Sequence, residues 1–179
     1  ATVSAGNGTG TISYFWSSGG QTSALATGLS AGTHFVTATD ANGCSISTNV
    51  TIVEPSAVTA TISNLVNLTC NGGNDGQISA TGSGGTGVNY SFLWSDGQTT
   101  STATGLSIVG NPYSVTITDA NSCTGITSVS IIEPTAVLIS ANVSSNFNGA
   151  QISCTNTCDG ELTASGSGGT GTITYLWDA

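Results

Sequence analysis

Apolar and polar residues alternate along short runs of this chain, and each run is closed by a cluster of Gly, Asn, Asp or Ser. A period of two sends successive side chains to opposite faces, which is the pattern of half-buried β-strands. In the best-defined stretch the alternation predicts strands over 58–62, 77–81, 90–94, 102–106, 113–118 and 128–132. The strongest run sends Tyr113, Val115 and Ile117 inward and Ser114, Thr116 and Thr118 outward. Another places Tyr90, Phe92 and Trp94 on one face, with one extra residue, Val88, after Gly87. Helix signals are nearly absent: Gly numbers 25, there is no Met, Lys or Arg, and Ser, Thr and Asn abound.

The same pattern is written three times. Cys44 and Cys123, Asp40 and Asp119, and Pro55 and Pro134 each lie 79 positions apart. Ile12, Tyr14 and Trp16 match Tyr90, Phe92 and Trp94, and then Ile173, Tyr175 and Trp177, while His34, Val36 and Ala38 match Tyr113, Val115 and Ile117. A period near 80 gives one small domain per copy rather than a short solenoid unit. Six or seven short strands per copy predict an all-β chain of tandem immunoglobulin-like β-sandwich repeats of about 80 residues. The boundaries are a partial first repeat over 1–55, a complete second over 56–134 and a partial third over 135–179. Glu54-Pro55 and Glu133-Pro134 mark the seams and leave almost no linker, which favours a rod of domains. With both ends interrupting a repeat, the chain reads as a segment of something longer.

Charge narrows the function. Only 5% of residues are charged, against about a quarter in ordinary proteins, and all nine are acidic, for a net charge of −9. Phosphate neutralisation needs Lys or Arg, so nucleic-acid binding is excluded. Attraction to anionic membrane surfaces fails for the same reason, and no run approaches the roughly 20 apolar residues of a membrane span.

Superposing the copies pairs Cys44 with Cys123 and Cys70 with Cys154, so each full repeat owns one early and one late cysteine. The middle repeat displays both, and a structural Cys70–Cys123 disulfide is predicted within it. Such a loop would add about 4 kcal/mol in the chain-entropy model and imply an oxidising compartment. Cys154 and Cys158 have metal-ligand spacing, but no second Cys/His pair completes a zinc site.

The remaining candidates have plainer readings. Asp75-Gly76, Asp96-Gly97 and Asp159-Gly160 are tight turns before they are calcium ligands, because position 12 of an EF-hand-like loop starting at Asn71 is Gly82 rather than Glu. Asp40 and Asp119 stand where a carboxylate caps local backbone N–H groups. The Gly-rich segments 82–87 and 166–171 lack the Lys and the following helix of a phosphate loop. Trp16, Trp94 and Trp177 sit in phase with apolar neighbours, as core residues rather than sugar-stacking platforms. His34, the one histidine, fills a Tyr-sized site. No catalytic residue, cofactor site or metal site is assigned.

The unit C-N-G-G-N-D-G, G-G-T-G, Y-x-F-x-W-S-D-G-Q-T-T, Y-x-V-x-I-x-D-A-N-x-C and E-P resembles the SprB-type repeat of Bacteroidetes gliding-motility and other cell-surface adhesins. Its anchors here are Cys70, Asp75-Gly76, Trp94-Ser-Asp-Gly97 and Asp119-Ala-Asn-Ser-Cys123, and it spans essentially the whole chain. The resemblance implies export by the type IX route, extracellular display as a long surface filament, and no catalysis. It also implies, for some repeats, a second cysteine where Cys158 stands, paired with one in the L-x-A-G turn; that turn carries Ser30 and Ser107 here. The predicted function is a structural stalk segment of a large secreted repeat adhesin, and the alternative is a carbohydrate-binding module array. The partners are then other domains of the same chain, a surface polysaccharide or substratum, and export or motility machinery.

Overall fold

The structure, a computed structural model, describes residues 1–87 and 89–178, so Val88 lies outside the described residues. The chain is all-β and divides into two units, Ala1–Pro55 and Ser56–Ala179. No helix among the described residues is long and apolar enough to cross a membrane.

In the first unit, β1 (Ser13–Trp16), β2 (Gly32–Thr39) and β3 (Ser45–Ile52) form one antiparallel sheet in the order β1-β2-β3. The alternation of β2 buries His34, Val36 and Ala38. Trp16 pairs with Val36 across the sheet and joins it and Ala26 in a small core, against which Val3, Tyr14 and Leu29 pack.

The second unit opens with β4 (Thr59–Val66), β5 (Gly76–Ser83), β6 (Ser91–Trp94), β7 (Thr102–Leu106), β8 (Tyr113–Thr118) and β9 (Thr124–Val129). They form two three-stranded antiparallel sheets, β4-β5-β7 and β6-β8-β9. One core joins them: Ile78, Ala80, Ala103 and Leu106 from the first meet Trp94, Tyr113, Val115 and Ile117 from the second, closed by Val58, Leu68 and Ile131. In immunoglobulin lettering this is A-B-E over C-F-G, with no D strand among the described residues. Trp94 occupies the strand-C tryptophan site. Tyr113, at the start of strand F, donates its hydroxyl to the Ser107 carbonyl (2.9 Å) and accepts from the Ser107 N–H (3.1 Å), a tyrosine corner.

Two sequence expectations shift. The last strand runs over Thr124–Val129, not 128–132. Ile131 and Ile132 are held instead by side chains: Asn111 bonds both the N–H and the carbonyl of Ile131, and the Asn67 oxygen accepts from the Ile132 N–H. The third copy contributes β10 (Leu138–Val143) and β11 (Leu162–Ser167), an antiparallel pair that repeats β4-β5, with Leu138 opposite Ser167 as Thr59 is opposite Ser83. The extra residues of this copy fall in the connection between its two strands. No strand equivalent to β8 or β9 covers this hairpin among the described residues, so Trp177, predicted as core, is 53% exposed.

Candidate functional site

The first two copies hold their tryptophans by the same two devices. Trp16 and Trp94 are 1% and 2% exposed, and their indole N–H groups donate to the carbonyls of Ser23 and Thr100, both at 2.9 Å. Beside them Gln98 clamps strand β7: its amide nitrogen donates to the Thr104 carbonyl (2.9 Å) and its oxygen accepts from the Thr104 N–H (3.0 Å). Gln21 does the same to Thr27, with both bonds at 3.0 Å. This clamp is missing from the sequence reading, although its signal was present: Gln21 and Gln98 hold the same place in their copies, each six residues before a Thr-Gly-Leu.

His34 does fill a tyrosine-sized site. Its Nε2 lies 2.8 Å from the Ser30 carbonyl, the turn position equivalent to Ser107, and its Nδ1 meets the Ser18 hydroxyl. A carbonyl only accepts, so Nε2 carries a hydrogen. With both ring nitrogens engaged and the side chain buried, His34 is the tyrosine corner in another chemistry.

At one end of the first two copies an aspartate ties two loops together. Asp119 Oδ1 accepts from the N–H groups of Asn121 (2.9 Å) and Cys123 (2.8 Å), while Oδ2 accepts from the Thr86 N–H (3.0 Å) and hydroxyl (3.2 Å). Asp40 repeats this with Asn42, Cys44 and the Thr9 N–H. Donors from Thr86 and then Cys123 hold the Asp119 carboxyl below its ordinary value, and those from Thr9 and then Cys44 lower Asp40. The turns close through a residue at positive φ, Gly43 in the first copy and Ser122 in the second. The Gly-rich loop before β6 is anchored rather than open. A Cβ on Gly84 would stand 2.0 Å from the Ala57 carbonyl oxygen, and the Thr86 N–H is already committed to Asp119.

The opposite end is built on Asp75. Its carboxylate takes the Thr69 hydroxyl and N–H, and it is lowered first by the hydroxyl. Asp159 does likewise with Ser153 and Thr157. Glu133 and Pro134 dock here as well: the Glu133 carboxylate accepts from the Gly72 N–H (2.8 Å), and Asn71 donates to the Pro134 carbonyl (3.1 Å). The Glu-Pro seam thus also ties the end of a repeat to its own first turn.

These two ends separate the predicted disulfide. Cys70 precedes the start of β5, whereas Cys123 sits in the β8–β9 turn, bonded through Asp119 to Thr86 beyond the end of β5. Eight strand residues at about 3.3 Å each hold them roughly 26 Å apart, and a disulfide needs Cα atoms within about 7 Å. The fold does not bring Cys70 and Cys123 together. Both are exposed with free thiols, as are Cys44, Cys154 and Cys158. Among the described residues no group of three or more His, Cys, Asp or Glu side chains is arranged to hold a metal ion.

The repeated anchors therefore define two loop ends and a buried tryptophan, in copies that differ in sequence but share these bonds. The SprB repeat family model matches the chain twice, over residues 62–99 and 146–179. Over these two segments the chain is similar to the SprB repeat. No curated protein sequence matches it. The first SprB match contains Asp75, the Gly84–Thr86 loop, Trp94 and Gln98, so it spans both ends and the tryptophan clamp. SprB repeats are structural repeats of cell-surface proteins of the gliding-motility type.

Proposed function

We propose that the chain is a non-catalytic stalk segment of a large secreted, cell-surface SprB-repeat adhesin, exported by the type IX route and displayed as a filament. The observation that carries this reading is that the first two copies spend their recurring polar side chains on themselves. Asp40 and Asp119, Gln21 and Gln98, and His34 and Tyr113 make the same internal bonds in two copies. What recurs is architecture, and the His34–Ser18 contact of the first copy has no counterpart at Tyr113. Tandem sandwiches of this kind hold distance between a cell and a substratum. Pulling the chain from its two ends tests this: the complete copy should rupture as one event and release about 270 Å, for 79 residues at about 3.4 Å each. Lengthening without a discrete rupture would reject the stalk.

The alternative, a carbohydrate-binding array, needs exposed aromatic rings, whereas Trp16 and Trp94 are buried. Retention on immobilised polysaccharide that is lost in Trp177→Ala would support that reading, and no retention would remove it.

A further inference from the structure

The two loop ends that keep Cys70 from Cys123 within a repeat bring their equivalents together between repeats. Chain direction places the A–B turn, with Cys70, at the exit end of a copy, beside Pro134. The D-A-N-x-C turn sits at the entry end, packed on the segment that follows the preceding seam. In the middle copy a Cβ on Gly85 would meet both Asp119 and Val58, and one on Gly125 would meet the Val58 carbonyl oxygen at 2.5 Å. The third copy carries the same seat. Gly168 stands to Ala136 as Gly84 does to Ala57, with 2.0 Å from an added Cβ to the carbonyl oxygen in both cases. The Gly169 N–H donates to Thr135 (2.9 Å) as Gly85 does to Ser56 (2.8 Å).

This seat lies directly against Cys70. The Thr170 hydroxyl, equivalent to that of Thr86 on Asp119, donates instead to the Thr69 carbonyl across the seam (3.3 Å). Cys70 and Asn71 line a cleft whose other wall is residues 135–137 with Gly169 and Thr170. In the middle copy the corresponding Thr86 is where the Asp119 turn docks, and that turn carries Cys123.

We propose that consecutive repeats are stapled by a disulfide from the A–B-turn cysteine of one repeat (Cys70, Cys154) to the D-A-N-x-C cysteine of the next (of which Cys44 and Cys123 are examples). The occupant of the cleft beside Cys70 is the D-A-N-x-C turn of the repeat that begins at Thr135. Two S–H bonds break and one S–S bond forms, and the two electrons and two protons pass to an oxidised dithiol, which is reduced. The inference is independent of what the filament attaches to.

The test extends the chain after Ala179 with a second copy of residues 97–134, which completes the third repeat, and oxidises it with glutathione disulfide. Peptide mapping without reduction, after cleavage at acidic residues, should link Cys70 to the added copy of Cys123, leaving Cys123 itself alkylatable. Cys70→Ser should free the added thiol, and Cys123→Ser should leave the link intact. A second protein, residues 1–134 followed by a repeat of 56–134, should show the same Cys70 link and guards against misfolding of the first. A Cys70–Cys123 link within one repeat, or an alkylatable Cys70 in both oxidised proteins, overturns the proposal.

Discussion

Trp94 and Trp177 occupy the same place in two copies of one sequence pattern, yet one is 2% exposed and the other 53%. Around Trp94, strand β6 pairs with β8, and the sheet β6-β8-β9 closes over β4-β5-β7. Around Trp177 the hairpin β10-β11 starts in the register of β4-β5, without the shift at Ile62/Asn64, but nothing stands where β8 and β9 would be among the described residues. Alternation therefore fixes which face a side chain takes, and burial waits for the second sheet to arrive. A hairpin alone is marginal in water, so the middle copy carries most of the stability of its unit.

The largest expected effect separates the two tryptophans. Trp94→Ala should cost about 3–5 kcal/mol in denaturant unfolding, while Trp177→Ala should change the same transition by less than about 0.5 kcal/mol; equal losses would break the comparison. Next is Gly85→Ala. It forces a side chain onto φ +70° with its Cβ 2.4 Å from the Asp119 carboxylate, and about 2 kcal/mol should be lost. Its third-copy counterpart Gly169→Ala has no Asp119 equivalent to meet and should cost less.

Gln98→Ala removes both bonds to Thr104 and should cost about 1 kcal/mol, read from the denaturation midpoint. Acid acts through the aspartate caps. The folded state holds Asp40, Asp75 and Asp119 below 3.8, so it binds fewer protons than the unfolded chain. The stability they add is present above that value and is lost as pH falls through the folded values. The midpoint should stay level from pH 7 to 5 and drop below about pH 4, with a smaller acid loss in Asp119→Asn. The smallest effect is a gain: Ser122→Gly relieves a left-handed serine at φ 68° and should stabilise by less than about 1 kcal/mol.

Strand β8 was legible to the residue, because Tyr113, Val115 and Ile117 alternate with polar neighbours and face one core; the bounds of β7 were legible too, but Ala103 and Leu106 share that core only through the register shift at Gly105, which has φ 68°. The aspartate caps were legible because Asp-x-Asn-x-Cys offers backbone donors at fixed spacing. The last strand was not: Ile131 and Ile132 read as a strand by their side chains, while Asn111 and Asn67 take up their backbone groups. The cysteine pairing failed for a different reason. Superposing copies shows which cysteines are equivalent, but only the course of β5 shows that Cys70 and Cys123 lie at its two ends.

The most direct measurement is acrylamide quenching of Trp177 in a protein carrying Trp16→Phe and Trp94→Phe, with and without the added copy of residues 97–134 after Ala179. Completion of the second sheet should take Trp177 from readily quenched to protected, to the level that Trp94 alone shows in the chain of 179 residues. A Trp177 that stays as quenchable after the addition would contradict burial by the second sheet.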